Sequence, residues 1–139
     1  MKQYGIKIAA GFMLLNSLLQ ITACGKDDTN NSNTGTGATK KPPTVTVTDA
    51  AAGITSTSAN SGGTITSDGG APLTASGVCW STTINPTTAN DKTSVGTNVG
   101  SFVTAITGLQ PNTTYYVKAY ATNSEGTTYG PRINFTTLP

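Results

Sequence analysis

Leu109-Gln110-Pro111-Asn112-Thr113-Thr114-Tyr115-Tyr116-Val117-Lys118-Ala119-Tyr120-Ala121-Thr122-Asn123 is the most informative stretch of this 139-residue chain. From Tyr115 onward the side chains alternate. Tyr115, Val117, Ala119 and Ala121 share one parity; Tyr116, Lys118, Tyr120 and Thr122 share the other. Successive side chains of a strand point to opposite faces, so the pattern predicts a half-buried strand. Lys118 belongs in water, which makes the first set the core face and turns Tyr116 and Tyr120 outward. Asn123-Ser124-Glu125-Gly126 supplies the turn that ends the strand.

Working outward, residues 42–139 repeat this style of writing. Short runs rich in Thr, Val, Tyr and Gly are punctuated by turn signals about every ten residues, with no 3.6-residue apolar period. Thr44-Val45-Thr46-Val47-Thr48 reads as a first strand with Val45 and Val47 inward. A second lies near Ser58 to Ile65, with Ala59 and Ile65. Ser67-Asp68-Gly69-Gly70 is a turn, since Gly accepts positive φ. A third strand runs from about Leu73 to Ser81 and is broken by Asn85-Pro86. Another spans Ser101 to Thr107, with Phe102, Thr104 and Ile106 on one face, and the last runs from Tyr129 to Thr137, where Pro131 marks an edge or a bulge. Alternation leaves the third strand open: Leu73, Ala75, Gly77 and Cys79 share one parity, Val78 and Trp80 the other. Burial of Trp80 is the expectation, and a bulge would reverse it.

Leu109, Pro111, Thr113 and Tyr115, spaced two apart, resemble the corner before strand F of fibronectin type III domains. The resemblance extends through Gly77-Val78-Cys79-Trp80-Ser81 and Asn85-Pro86-Thr87, which look like a fibronectin-type module of bacterial surface lipoproteins. It implies a seven-stranded immunoglobulin-like sandwich, all-β, in which Tyr115 packs inward and bonds upstream backbone through its hydroxyl. One departure stands out: the tryptophan usual on the second strand of animal modules is absent.

Before the domain the chain changes character twice. Lys2 and Lys7 precede a short apolar run, Ile8 to Leu19, interrupted by Asn16 and Ser17. A membrane-spanning helix needs roughly 20 apolar residues, so residues 1–23 read as a secretory signal. The run ends in Ile21-Thr22-Ala23-Cys24, which resembles the lipobox of bacterial lipoproteins. The resemblance implies a diacylglycerol thioether and an N-acyl chain such as palmitate on Cys24, and hence a membrane partner through that anchor. Lys26, Asp27 and Asp28 look like the tag that sends lipoproteins to the outer face of the outer membrane; a solvated charge cluster is the alternative. Residues 24–41 read as the lipidated cysteine and a flexible linker, whose stretch from Lys26 to Lys41 holds no aliphatic side chain larger than alanine and, at about 16 residues, reaches roughly 20–24 Å.

Charge and cysteine bound what the domain does. Loss of residues 1–23 leaves 116 residues, with six basic side chains against six acids, so no basic surface remains for nucleic acid. With Cys24 lipidated, Cys79 is alone and an internal disulfide is excluded. The chain has no histidine, which removes the commonest general base and metal ligand. Asp49, Asp68, Asp91 and Glu125 are expected in separate turns or loops. The expectation is therefore a non-enzymatic module without cofactor or metal, displayed on the cell surface for protein interaction or adhesion. A second reading is a glycan-binding accessory lipoprotein of a polysaccharide-uptake system, using Tyr116 and Tyr120, about 13 Å apart on one face. A third is a hydrolase with two loop carboxylates paired.

Overall fold

The computed structural model describes residues 38–139. The expectations for the signal, Cys24 and Lys26, Asp27 and Asp28 lie outside the described residues. Among those described there is no helix. The strands are β1 (Thr44–Ala52), β2 (Ser58–Ser67), β3 (Ala75–Ser81), β4 (Asp91–Lys92), β5 (Gly100–Thr107), β6 (Thr114–Asn123), β7 (Gly126–Tyr129) and β8 (Ile133–Thr136).

They form two antiparallel sheets. One has the order β1-β2-β5; the other has the order β4-β3-β6-β7, with β8 also on β6. β7 pairs Tyr120 to Asn123, and β8 pairs Thr114 to Val117, so the two are halves of one seventh strand. Between them Gly130, Pro131 and Arg132 lie opposite only Lys118 and Ala119, a one-residue bulge. Proline has no N–H to give a ladder, so the break falls where Pro131 stands, on the sheet edge.

The inner faces meet in one core containing Val45, Ile65, Val78, Trp80, Ile106, Tyr115, Val117, Ala119 and Phe135. Burying each large aliphatic side chain is worth about 1.5–3 kcal/mol. At the second strand the core is thin. A Cβ on Gly63 would sit 2.5 Å from the Cβ of Ala119 and 2.6 Å from the carbonyl oxygen of Val47. Gly63 and Ala119 are small because the sheets touch there.

β1 departs from simple alternation. Its register against β2 slips between Val45 and Val47. Val45 is buried, but Val47 is 41 % exposed, and Thr48 takes the inward place. The expectation that both valines point inward fails for this reason: the extra residue of a bulge inverts the parity of all that follows.

Candidate binding surface

The outer face of β6 is the surface that the glycan-binding reading would use, and the structure redraws it. Tyr116 is half-buried, but Tyr120 is only 2 % exposed. Tyr120 pairs with Gly77 of β3, and its hydroxyl donates to the carbonyl oxygen of Thr93 at 2.8 Å. Gly77 provides the clearance: a Cβ there would collide with the Thr93 backbone. The two tyrosines thus form no exposed pair, and Tyr120 is a packing residue.

What covers this face is the segment after β3. Thr93 N–H donates to Val78 O and Val95 N–H to Ser76 O, tying the chain beyond β4 to the β3 edge. The Tyr129 hydroxyl accepts from Thr88 N–H at 3.1 Å, and Pro86 is fully buried. Lys118 lies over the Tyr129 ring at 5.7 Å, and Arg132 over the Tyr116 ring at 5.5 Å. The Arg132 guanidinium also donates to Ile84 O. Residues 84–95 form a strap that turns the outer face of β3 and β6 into a second buried layer. Cys79 belongs to that layer while Trp80 faces the core, so both are buried, from opposite sides of β3. Burial pushes the Cys79 thiol up to about 11, which keeps it protonated and unreactive at neutral pH.

The corner has the following geometry. Tyr115 is buried and stacks on Phe135 with ring centroids 6.1 Å apart. Its hydroxyl accepts the N–H of Gln110 at 3.0 Å. Leu109 is buried, and Thr113 bonds the Pro111 carbonyl through its hydroxyl. Asn112 takes φ of 50°, a left-handed turn that asparagine tolerates.

The four acids of the domain lie on different segments of the chain. Asp49 is on β1 and Asp91 on β4, rather than in loops as expected; Asp68 and Glu125 are in turns. Among the described residues no group of three His, Cys, Asp or Glu side chains could hold a metal.

Two poles are chemically distinct. At one, Lys41 N–H donates to Gly69 O, and the Asn123 amide donates to Lys41 O and Asp68 O, both at 2.7 Å. The chain therefore joins the sandwich beside the β2–β3 and β6–β7 turns. At the other pole, the length of β6 away (roughly 30 Å), the end of β3 and the start of β4 border an open groove of about 430 Å³. Trp80, Ser81, Thr82, Asn90, Asp91 and Tyr115 line it. The sequence carried no sign of this groove, because its walls belong to strands distant along the chain.

With two sheets of order β1-β2-β5 and β4-β3-β6-β7/β8, the comparison with solved structures is direct. The FN1–FN3 domains of chicken CNTN1 align with a TM-score of 0.50 and 21 % identity, over 73 % of this chain and 33 % of that one. The domain is a fibronectin type III-like sandwich. Titin domains align at a TM-score of 0.46 and 23 % identity, over 72 % of this chain and 32 % of theirs. The fibronectin type III domain of human fibronectin type III domain containing protein 3 aligns at 0.40 and 21 % identity, over 74 % of this chain and 91 % of that one. The chain thus spans about a third of the length of the CNTN1 and titin structures. No protein-family model and no curated protein matches the chain.

Proposed function

We propose that this chain is a lipid-anchored, non-enzymatic module that displays a fibronectin type III-like sandwich on a bacterial outer membrane for interaction with another surface molecule. The observation that carries the reading is Ile21-Thr22-Ala23-Cys24, at the end of a short apolar run and followed by a polar linker. Acyl chains on Cys24 supply the membrane affinity, and two or more are needed for a stable anchor. Lys26, Asp27 and Asp28 serve as the export tag. Nucleic acid is no partner of a chain whose processed form is charge-neutral.

The geometry supports a spacer-and-head arrangement. The Asn123 amide clamps Lys41 at one pole, so the chain enters the sandwich on the β2–β3 and β6–β7 side, and the groove lies at the opposite pole. A non-catalytic role is supported by the absence of histidine from the sequence and by the dispersal of the four acids over separate elements.

Mass spectrometry of the N-terminal peptide tests the anchor. A peptide beginning at Cys24 with diacylglycerol and N-acyl mass is the expected result, and an unmodified peptide or another start would refute it. Surface proteolysis of intact cells tests display. Cleavage of the wild type and protection after Lys26, Asp27 and Asp28 are changed to Ala are expected; protection of the wild type would refute surface display.

A further inference from the structure

We infer that the groove between the end of β3 and the start of β4 is a binding site for a neutral sugar ring. Trp80 and Asp91 are paired across the two strands, which sets an indole and a carboxylate side by side at the groove. Trp80 is only 8 % exposed, and its indole N–H has no acceptor among the described residues. Yet no side-chain nitrogen or oxygen there is both sealed from solvent and unpartnered. The N–H therefore reaches solvent, and Trp80 is among the residues that line the groove.

The rest of the lining offers complementary groups. The Asp91 carboxylate is exposed and makes no hydrogen bond among the described residues. Asn90 uses its amide oxygen to accept from Thr87 N–H at 2.9 Å, which leaves its NH₂ group to donate. The hydroxyl of Thr82 is also without a partner among the described residues. The groove thus presents an indole donor, an amide donor, a hydroxyl and an anionic acceptor around one space.

Charge and hydrogen-bond logic select the ligand. No lysine or arginine lines the groove, and neighbouring Lys92 donates its ammonium to Thr88 O at 2.9 Å, so the one charge an anion would meet there is the like charge of Asp91. A lysine or arginine side chain would satisfy Asp91 but carries donors alone, leaving the indole and Asn90 N–H groups without acceptors. Sugar hydroxyls both donate and accept and so meet every group. The volume of about 430 Å³ lies in the ordinary range of small-ligand sites, with room for one or two rings. This inference holds whether or not Cys24 is lipidated.

Trp80 is the only tryptophan, so its fluorescence reports on this site alone. The full chain in detergent should show a saturable change in emission with glucose, galactose, mannose, N-acetylglucosamine, cellobiose or maltose. Binding should weaken about tenfold or more in Asp91→Ala and in Asn90→Ala, each removing one polar contact. Both positions are exposed, and wild-type unfolding midpoints would separate a lost contact from a lost fold. Thr82→Val, outside both strands, makes the same discrimination if either variant unfolds. The inference is overturned by an absence of saturable change and of calorimetric heat with all six sugars. Affinity unchanged by the lining substitutions would also overturn it, as would a response confined to lysine- or arginine-containing peptides.

Discussion

The hydroxyl of Thr48, on one sheet, accepts the backbone N–H of Ala119, on the other, at 2.9 Å in the protein interior. Ala119 directs its backbone toward the last strand, where its carbonyl takes the Gly130 N–H at 2.9 Å. The bulge at Gly130–Arg132 leaves the Ala119 N–H without a ladder partner, and Thr48 replaces it. Two irregularities depend on each other here. The bulge in β1 rotates Thr48 inward, and the bulge in the last strand creates the need for it.

Thr48→Val keeps the shape but strands the Ala119 N–H, which should cost about 1–3 kcal/mol. Thr48→Ser keeps the acceptor and should cost less than half as much. Urea unfolding of both proteins checks the order, and equal losses would show that packing, not the hydrogen bond, sets the stability of this contact.

Tyr115→Phe keeps the stack on Phe135 and removes the acceptor of the Gln110 N–H. A loss of about 1 kcal/mol is expected, with faster amide exchange at Gln110. An unchanged unfolding midpoint would mean that the corner is held by ring burial alone.

Asn123→Asp should destabilise by about 2 kcal/mol or more, because a carboxylate cannot donate to Lys41 O and Asp68 O. The amide oxygen, which accepts from Glu125 and Gly126 N–H, is retained in that variant. Amide exchange at Lys41 should rise with it. Protection at Lys41 equal to wild type would remove the clamp from the junction between linker and sandwich.

Alkaline pH should unfold the protein through its buried outer layer. Burial raises the Cys79 thiol from 9.0 to about 11 in the folded state, against the lowering charges of Lys118 and Lys92. The folded protein therefore holds its proton longer than the unfolded chain. The stabilisation is complete below pH 9 and is lost as pH rises through about 11. Tyr120 is raised too, chiefly by burial, and adds a slope of the same sign at higher pH. Cys79→Ala should flatten the dependence of the urea midpoint between pH 9 and 11 without abolishing it; an unchanged slope would assign the effect to the tyrosines.

The core face of β6 was legible because alternation is a local property: Tyr115, Val117, Ala119 and Ala121 had only to be counted to be placed. The turn at Asp68-Gly69-Gly70 was legible for a similar reason, and both glycines take positive φ. Tyr120 was misplaced outward because alternation tells which face a residue is on, not what lies over that face. The strap over it comes from residues 84–95, whose composition reads as loop. One signal was present: Gly77, opposite Tyr120, is the strand glycine that marks close backbone approach.

Local chemistry along the chain was enough to determine most of the strands and the corner, since each depends on neighbours within a few positions. The inward turn of Thr48, the burial of Tyr120 and the groove beside Trp80 were decided only by the tertiary structure. They arise where segments far apart in sequence supply an acceptor, a cover or a wall, and no periodicity records which segment will arrive.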